Sequence, residues 1–190
     1  MSARRGVDSG TLAAMASVTE RLELAGHIQG LWYPCRGGAW LKAVPVAAML
    51  PAVSPMAVVQ TFLDDDLYNH LPEDSAYGTL TDCAWRPVDR AEMLRCVDEI
   101  LAGAAAWIAE VRAEEAAERA VAEAGGWFDP SRKPWFDDDM IDLEALRRWF
   151  TDELWAADGP SWFTNMGPDF ADEPAVIGVD GVLLAILWLA

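Results

Sequence analysis

The longest periodic segment of the sequence spans residues 87–124 and predicts a single long helix. In its first half, apolar side chains recur every three or four residues, which is the spacing that places them on one face of an α-helix. These side chains are Met93, Val97, Ile100, Leu101, Ala104, Trp107, Ile108 and Val111. Beyond Val111 the segment consists mainly of Ala, Glu and Arg, so we expect that half to project into solvent or to contact a partner. A pair of glycines at 125–126 is expected to end the helix.

The segments on either side of this helix predict a mixture of helices and strands. Three further helices are expected, at residues 9–27 (with Leu22 facing inward), 54–71 and 139–157. Short apolar or aromatic runs at 31–34 and 39–46 indicate a hairpin. Runs at 175–177 and 182–189 indicate a C-terminal β-hairpin, with its turn at Asp180-Gly181, or a buried edge-pairing strand. We therefore predict an α+β fold, which is a mainly helical single domain over residues 9–190 after a flexible tail at residues 1–8. It combines the long central helix with a small β-hairpin or sheet that includes the C-terminal strand.

Charge restricts the partners that the chain can bind. The 31 acidic residues outnumber the 14 basic ones, and the net charge is −17. Such a field repels phosphates and anionic membranes, so we expect neither direct nucleic-acid binding nor membrane binding. It attracts basic protein surfaces, although acidity also keeps a chain with ten tryptophans in solution. The three cysteines show no C-x-x-C spacing, which favours a reducing cytoplasm over a disulfide framework or a structural zinc site.

Catalytic motifs are missing from the sequence. It contains no phosphate-binding G-x-x-x-x-G-K-[ST] loop, no G-x-S-x-G elbow and no H-E-x-x-H pair. The two histidines, His27 and His70, have no second ligand at a spacing that forms a known site. Cys35 precedes an arginine, but His27 is too near in sequence for a known Cys–His arrangement. We therefore predict that the chain is not an enzyme and has no catalytic residues.

Two aspartate triplets, at residues 64–66 and 137–139, raise the question of a metal site. A calcium loop alternates its oxygen ligands around a central glycine, whereas Ile141 follows in the alternating position here and no glycine comes next. Residues 64–66 fall in a predicted helix, where consecutive side chains point in different directions. We predict no metal and no cofactor. A magnesium site assembled from both triplets is the remaining alternative.

Carboxylates and aromatic side chains concentrate in residues 110–139, and this region is the predicted partner-binding site. Glu110, Glu114 and Glu118 recur at four-residue spacing, so they lie one helical turn apart, roughly 5–6 Å between Cβ atoms. That distance approximates the repeat of phosphates along a nucleic-acid strand. Aromatic side chains rimmed by polar groups are typical of protein interfaces, although the rings could instead cover the core beneath a loop. The predicted site comprises Glu110, Glu114, Glu115, Glu118, Trp127, Trp135, Asp137, Asp138 and Asp139.

These patterns favour a non-catalytic acidic binding protein. The leading hypothesis is a stoichiometric inhibitor of a basic protein target, a nucleic-acid-binding complex or a nuclease, whose phosphate contacts the carboxylates would imitate. Anti-CRISPR and anti-restriction proteins of phages and mobile elements act in this general way. The alternatives are an immunity protein that neutralises a toxin, a helical chaperone or structural protein, and an enzyme with an unrecognised carboxylate site.

Overall fold

The computed structural model of the chain describes residues 9–30, 38–46, 54–66, 80, 83–125, 142–167 and 173–189. In chain order the elements are α1 (Ser9–Gly30), β1 (Ala39–Pro45), α2 (Pro55–Thr61), β2 (Arg86–Val88), α3 (Arg90–Glu123), α4 (Leu143–Arg148), β3 (Ser161–Thr164), β4 (Ala175–Val179) and β5 (Leu183–Leu189). Helices α2 and α4 each continue into a π-helical turn, Phe62–Asp66 and Trp149–Glu153 respectively. The predicted α+β fold, with its long helix and its C-terminal strand in a sheet, is confirmed.

The strands form one five-stranded sheet in the order β1-β5-β4-β3-β2, and every neighbouring pair is antiparallel. The C-terminal hairpin predicted from Asp180-Gly181 is present, with Val179 opposite Leu184. The Asp180 carboxylate stabilises the turn, because its Oδ1 accepts hydrogen bonds from the backbone N–H groups of Val182 and Leu183, at 2.7 and 2.9 Å. Asp180 therefore satisfies two backbone donors at the point where the chain reverses.

Helices cover both faces of the sheet, which explains why β5 is apolar at every position. Leu183, Ala185 and Leu187 contribute to the core cluster shared with α1, α3 and α4. The alternate residues Leu184, Ile186 and Trp188 contribute to the cluster shared with α2. A strand with one face in water would alternate between apolar and polar side chains. The continuous run in β5 thus follows from a sheet buried between two helical layers.

Helix α3 lies across one face of the sheet. Its N-terminus is capped by Asp89, whose side chain accepts a hydrogen bond from the Glu92 N–H at 2.8 Å. Over its 34 residues it is about 51 Å long, at about 1.5 Å per residue. Gly103 allows the helix to approach β5 closely, since a Cβ atom there would lie 2.6 Å from Cδ2 of Leu189. The helix is thus anchored to the sheet by its first half.

Several sequence-based boundaries are wrong in detail. Helix α3 begins at Arg90 rather than at 87, because residues 86–88 form β2. Strand β1 pairs with β5, with Ala39 opposite Leu189, and its predicted hairpin partner at 31–34 lies outside the described residues. Helix α4 begins at Leu143, after its cap Asp142, rather than at residue 139.

The inner face of α1 also differs from the prediction. Leu22 is exposed, whereas Arg21, Ala25 and Ile28 are buried. In the part of α1 whose side chains are described, the packed face is therefore rotated by about one residue, or roughly 100°, from the one that the apolar spacing indicates. A charged residue occupies a place in the core that the sequence pattern assigns to leucine. The predicted tail at residues 1–8 lies outside the described residues.

Candidate interaction surface

The second half of α3 carries the carboxylates predicted to bind a partner. The last buried residue of the helix is Ile108. Beyond it Glu110, Glu114 and Glu118 are exposed, and Glu115 is half-buried. This half of the helix therefore buries little apolar surface, as its composition of mainly Ala, Glu and Arg indicates.

Two apolar side chains share the exposed face with these carboxylates. Residues at i, i+3, i+7, i+11 and i+14 fall on one side of an α-helix, which places Trp107, Glu110, Glu114, Glu118 and Val121 in a single row, called here the α3 stripe. Trp107 and Val121, the terminal members, retain 38% and 60% of their accessible surface. They stand about 21 Å apart along the helix axis. The α3 stripe is thus a row of carboxylates with an exposed apolar side chain at each end.

Trp107 was predicted from its spacing to face the core, and the structure places it at the surface. The buried face of α3 is defined by Ala104 and Ile108, and Trp107 lies about 100° around the helix from Ile108. The 3–4 spacing alone does not separate the middle of an apolar face from its edge.

The carboxylates of α3 differ in their ion pairing. In the first half, Glu92 accepts a hydrogen bond from Arg86 at 2.7 Å, and Asp98 accepts one from Arg147 at 2.9 Å. These contacts lower the pKa of Glu92 and raise the pKa values of both arginines. Among the described residues, no ion pair involves Glu110 or Glu114. Both carboxylates are therefore exposed to an approaching basic surface.

The remaining members of the predicted site, Trp127, Trp135, Asp137, Asp138 and Asp139, lie outside the described residues. The first aspartate triplet is partly described, and Asp64 is an exposed residue whose Oδ1 accepts a hydrogen bond from Gln60 at 2.8 Å. Within the described ranges, no group of three or more His, Cys, Asp or Glu side chains is placed to hold a metal ion.

A cleft of about 810 Å³ opens at the other end of α3, between the β2–α3 junction and the segment that leads into β3. We call it the α3–β3 cleft. Its polar lining includes Asp89, Arg90, Asp152 and Asp158, and its aromatic lining includes Trp155 and Trp162. No pattern in the sequence indicated this cleft, because its walls come from segments that lie more than sixty positions apart.

Hydrogen bonds fix the polar wall of the α3–β3 cleft. Asp152 accepts from the buried Thr151 hydroxyl at 2.7 Å and from Arg90 at 2.8 Å. Both bonds favour the ionised carboxylate, so the pKa of Asp152 lies below its ordinary value. The two indoles meet edge to face with ring centroids 5.3 Å apart, and Trp155 donates its N–H to the Phe150 carbonyl. The cleft thus combines an ionised carboxylate with aromatic rings held in place.

A smaller cavity, of about 170 Å³, lies beside the first turns of α3 and is lined by Arg86, Arg95, Glu92, Glu99 and Cys96 among others. Burial raises the pKa of the Cys96 thiol, although a hydrogen bond with Thr164 partly opposes the change. A thiol with a raised pKa is a poor nucleophile at neutral pH. The two basic and two acidic side chains of this cavity balance each other, so it favours no ligand charge.

Comparison of the chain with protein-family models, with characterised proteins and with solved structures finds no match to any of the three. Across the described ranges, no helix combines the length and the apolar character needed to cross a membrane.

Proposed function

We propose that this protein is a non-catalytic acidic inhibitor that binds a basic nucleic-acid-handling protein, such as a nuclease or a nucleic-acid-binding complex, in the cytoplasm. It would act stoichiometrically as a nucleic-acid mimic, in the manner of anti-CRISPR and anti-restriction proteins of phages and mobile elements. The observation that carries the proposal is the α3 stripe, in which exposed carboxylates repeat along a helix between two exposed apolar side chains.

The spacing of the carboxylates supports mimicry of a phosphate backbone. Glu110, Glu114 and Glu118 are four residues apart, so each step advances about 6 Å along the helix axis. Glutamates at this spacing repel each other modestly in the free helix. A row of basic side chains on a target would relieve that repulsion and would displace the target's nucleic acid. The net charge of −17 would accelerate the encounter.

The apolar ends of the α3 stripe support a protein as the partner. Interfaces concentrate binding energy in a few aromatic or apolar anchors that polar groups surround. Trp107 and Val121 would supply such anchors, with the carboxylates between them fixing orientation and specificity. A row of carboxylates that served only solubility would not require an exposed tryptophan at its end. A chaperone contact would instead use a continuous apolar stripe, which Glu110, Glu114 and Glu118 interrupt.

An immunity protein that neutralises a basic nuclease toxin would use the same surface, and the identity of the target separates this alternative from an anti-defence inhibitor. The proposal can be tested with a triple variant, Glu110→Lys, Glu114→Lys and Glu118→Lys. Its matched control, Glu20→Lys, Glu23→Lys and Glu144→Lys, changes the net charge equally at exposed positions on α1 and α4.

Affinity purification with the wild-type protein and both variants, followed by mass spectrometry, identifies the target. We expect a basic protein that the wild type and the control capture and the stripe variant does not. The purified target should lose its nucleic-acid binding or cleavage at one equivalent of inhibitor. The inhibition should be weaker in about 1 M salt, where the Debye length falls to about 3 Å and the attraction between the two proteins is screened. Equal capture by the stripe variant, or capture without inhibition, would contradict the proposal.

A further inference from the structure

The α3–β3 cleft has the size and lining of a binding site for an organic ligand. Its volume of about 810 Å³ lies within the range of roughly 300–1,000 Å³ that is typical of ligand pockets. Such pockets combine apolar and aromatic walls with a few polar groups that fix the orientation of the ligand. Trp155 and Trp162, which retain 8% and 6% of their accessible surface, supply the aromatic part here, and Thr151 and Asp152 supply part of the polar lining.

The charges around the cleft select a cation. Asp89, Asp152 and Asp158 contribute three carboxylates, whereas Arg90 is the one basic side chain among the described residues that line it. Arg90 is already bound to Asp152 at 2.8 Å. The N-terminus of α3 would attract an anion, but Asp89 already caps it. A cationic ligand therefore gains from both the local charge and the overall charge of the protein.

Asp152 retains the capacity to bind a ligand. Its Oδ1 accepts a hydrogen bond from Arg90 and its Oδ2 accepts one from Thr151. An ionised carboxylate has about four lone-pair positions, so each oxygen can accept a further bond. Its side chain is also 57% exposed, which leaves it accessible from the solvent side of the cleft.

We propose that the α3–β3 cleft binds an arginine side chain of a basic peptide segment. A guanidinium group is planar and donates in parallel to both oxygens of a carboxylate. The cleft offers three carboxylates for such a contact, those of Asp89, Asp152 and Asp158. A lysine ammonium lacks the planar fork, so it binds here more weakly than arginine.

This site is separate from the α3 stripe, and the proposal does not depend on the proposed function. Arg90 lies 17 positions before Trp107 in the same helix, which corresponds to about 26 Å along its axis. A short peptide would reach the cleft alone, so short peptides test the cleft without the target protein.

The test is a titration of the full-length protein with acetyl-Gly-Arg-Gly-amide, followed through the indole N–H resonances of Trp155 and Trp162 by NMR. The matched probe replaces arginine with citrulline, which keeps the shape of the side chain and removes its charge. A lysine peptide and a glutamate peptide complete the set. We expect saturable shifts of both indole signals with the arginine peptide, weaker binding of the lysine peptide, and no shift with the citrulline or glutamate peptides.

Variants locate the interaction within the cleft. Asp152→Asn and Asp158→Asn should each weaken binding of the arginine peptide by about three- to tenfold, as expected for loss of one partly exposed charge contact. Glu153→Gln is the matched control, because this exposed carboxylate on the same π-helical turn is not among the residues that line the cleft. Equal binding of the citrulline peptide, an equal loss in Glu153→Gln, or the absence of indole shifts at millimolar peptide would each overturn the proposal.

Discussion

Arg21 in α1 forms a buried ion pair with Asp180 in the β4–β5 turn, although 159 positions separate the two residues. The side chains retain only 6% and 13% of their accessible surface. The Arg21 Nε also donates a hydrogen bond to the Leu154 carbonyl at 2.7 Å. A single guanidinium therefore joins three segments: α1, the C-terminal hairpin and the chain that follows α4. This contact explains how a charged residue takes part in the packed face of α1.

Removing one partner of this pair should destabilise the protein strongly. In Asp180→Ala the Arg21 charge stays buried without its carboxylate, and the turn loses two backbone hydrogen bonds. We expect the free energy of unfolding, measured by urea denaturation, to fall by about 3–5 kcal/mol. The control is Arg148→Ala, which breaks an exposed pair with Glu153 and should cost less than about 1 kcal/mol. Similar losses in the two variants would show that burial does not determine the contribution of the Arg21 pair.

Gly178 in β4 provides a second stability test, because two indoles pack directly over it. A Cβ atom at this position would lie 2.6 Å from Cζ2 of Trp155 and 2.6 Å from Cζ3 of Trp162. The rings are held by each other and by Phe150, so they cannot move away without disturbing the core. We expect Gly178→Ala to lower the free energy of unfolding by about 1–3 kcal/mol and to alter the near-ultraviolet circular dichroism of the tryptophans.

The control for Gly178 is Gly181→Ala in the neighbouring turn. No heavy atom lies within 4 Å of a Cβ built there, and its φ is not positive. We expect a change in unfolding free energy of less than about 0.5 kcal/mol and an unchanged tryptophan spectrum. A stable Gly178→Ala variant with the wild-type spectrum would mean that the indoles pack more loosely than these distances indicate.

The sequence predicts the individual helices and strands better than it predicts which of them pair or pack with one another. Helix α3 and strand β5 are recognisable because each is long and apolar in a consistent pattern. Strand β2 has three residues with Pro87 at its centre, so no alternation marks it. It is a strand because Val88 lies opposite Trp162 in β3, a pairing that forms only in the folded chain. The α3–β3 cleft could not be predicted from the sequence either, because its walls are distant in sequence and come together only in the folded chain.

The candidate surface was likewise predictable in part. The spacing of Glu110, Glu114 and Glu118 in the sequence is enough to place them on one helical face. The position of Trp107 depends on which side of α3 the sheet occupies, and that is a property of tertiary packing. The structure therefore adds the apolar ends of the α3 stripe to a row of carboxylates that the sequence already indicated.

Asp152 should make stability depend on pH at the acidic end. Its hydrogen bonds with Thr151 and Arg90 hold its pKa below the unfolded value, so the carboxylate stabilises the fold above that value. This stabilisation is lost as the pH falls through the lowered pKa, below about pH 4. We expect the difference in stability between wild type and Asp152→Asn to be constant at neutral pH and to diminish on acidification. A difference that stays constant down to the acid-unfolding region would contradict this assignment.

Trp107 provides the most direct test of the apolar part of the α3 stripe. Replacing it with serine removes an exposed aromatic anchor, and the affinity for the target should fall by about tenfold or more, as for a typical interface hot spot. Leu22→Ser on α1 is the control, because Leu22 is exposed to nearly the same extent, 37% against 38%. It should leave the affinity unchanged when binding is measured by isothermal titration calorimetry. Because the carboxylates remain in Trp107→Ser, the salt dependence of its binding should match that of the wild type. A flatter salt dependence would show that Trp107 acts by positioning the glutamates rather than by contacting the target.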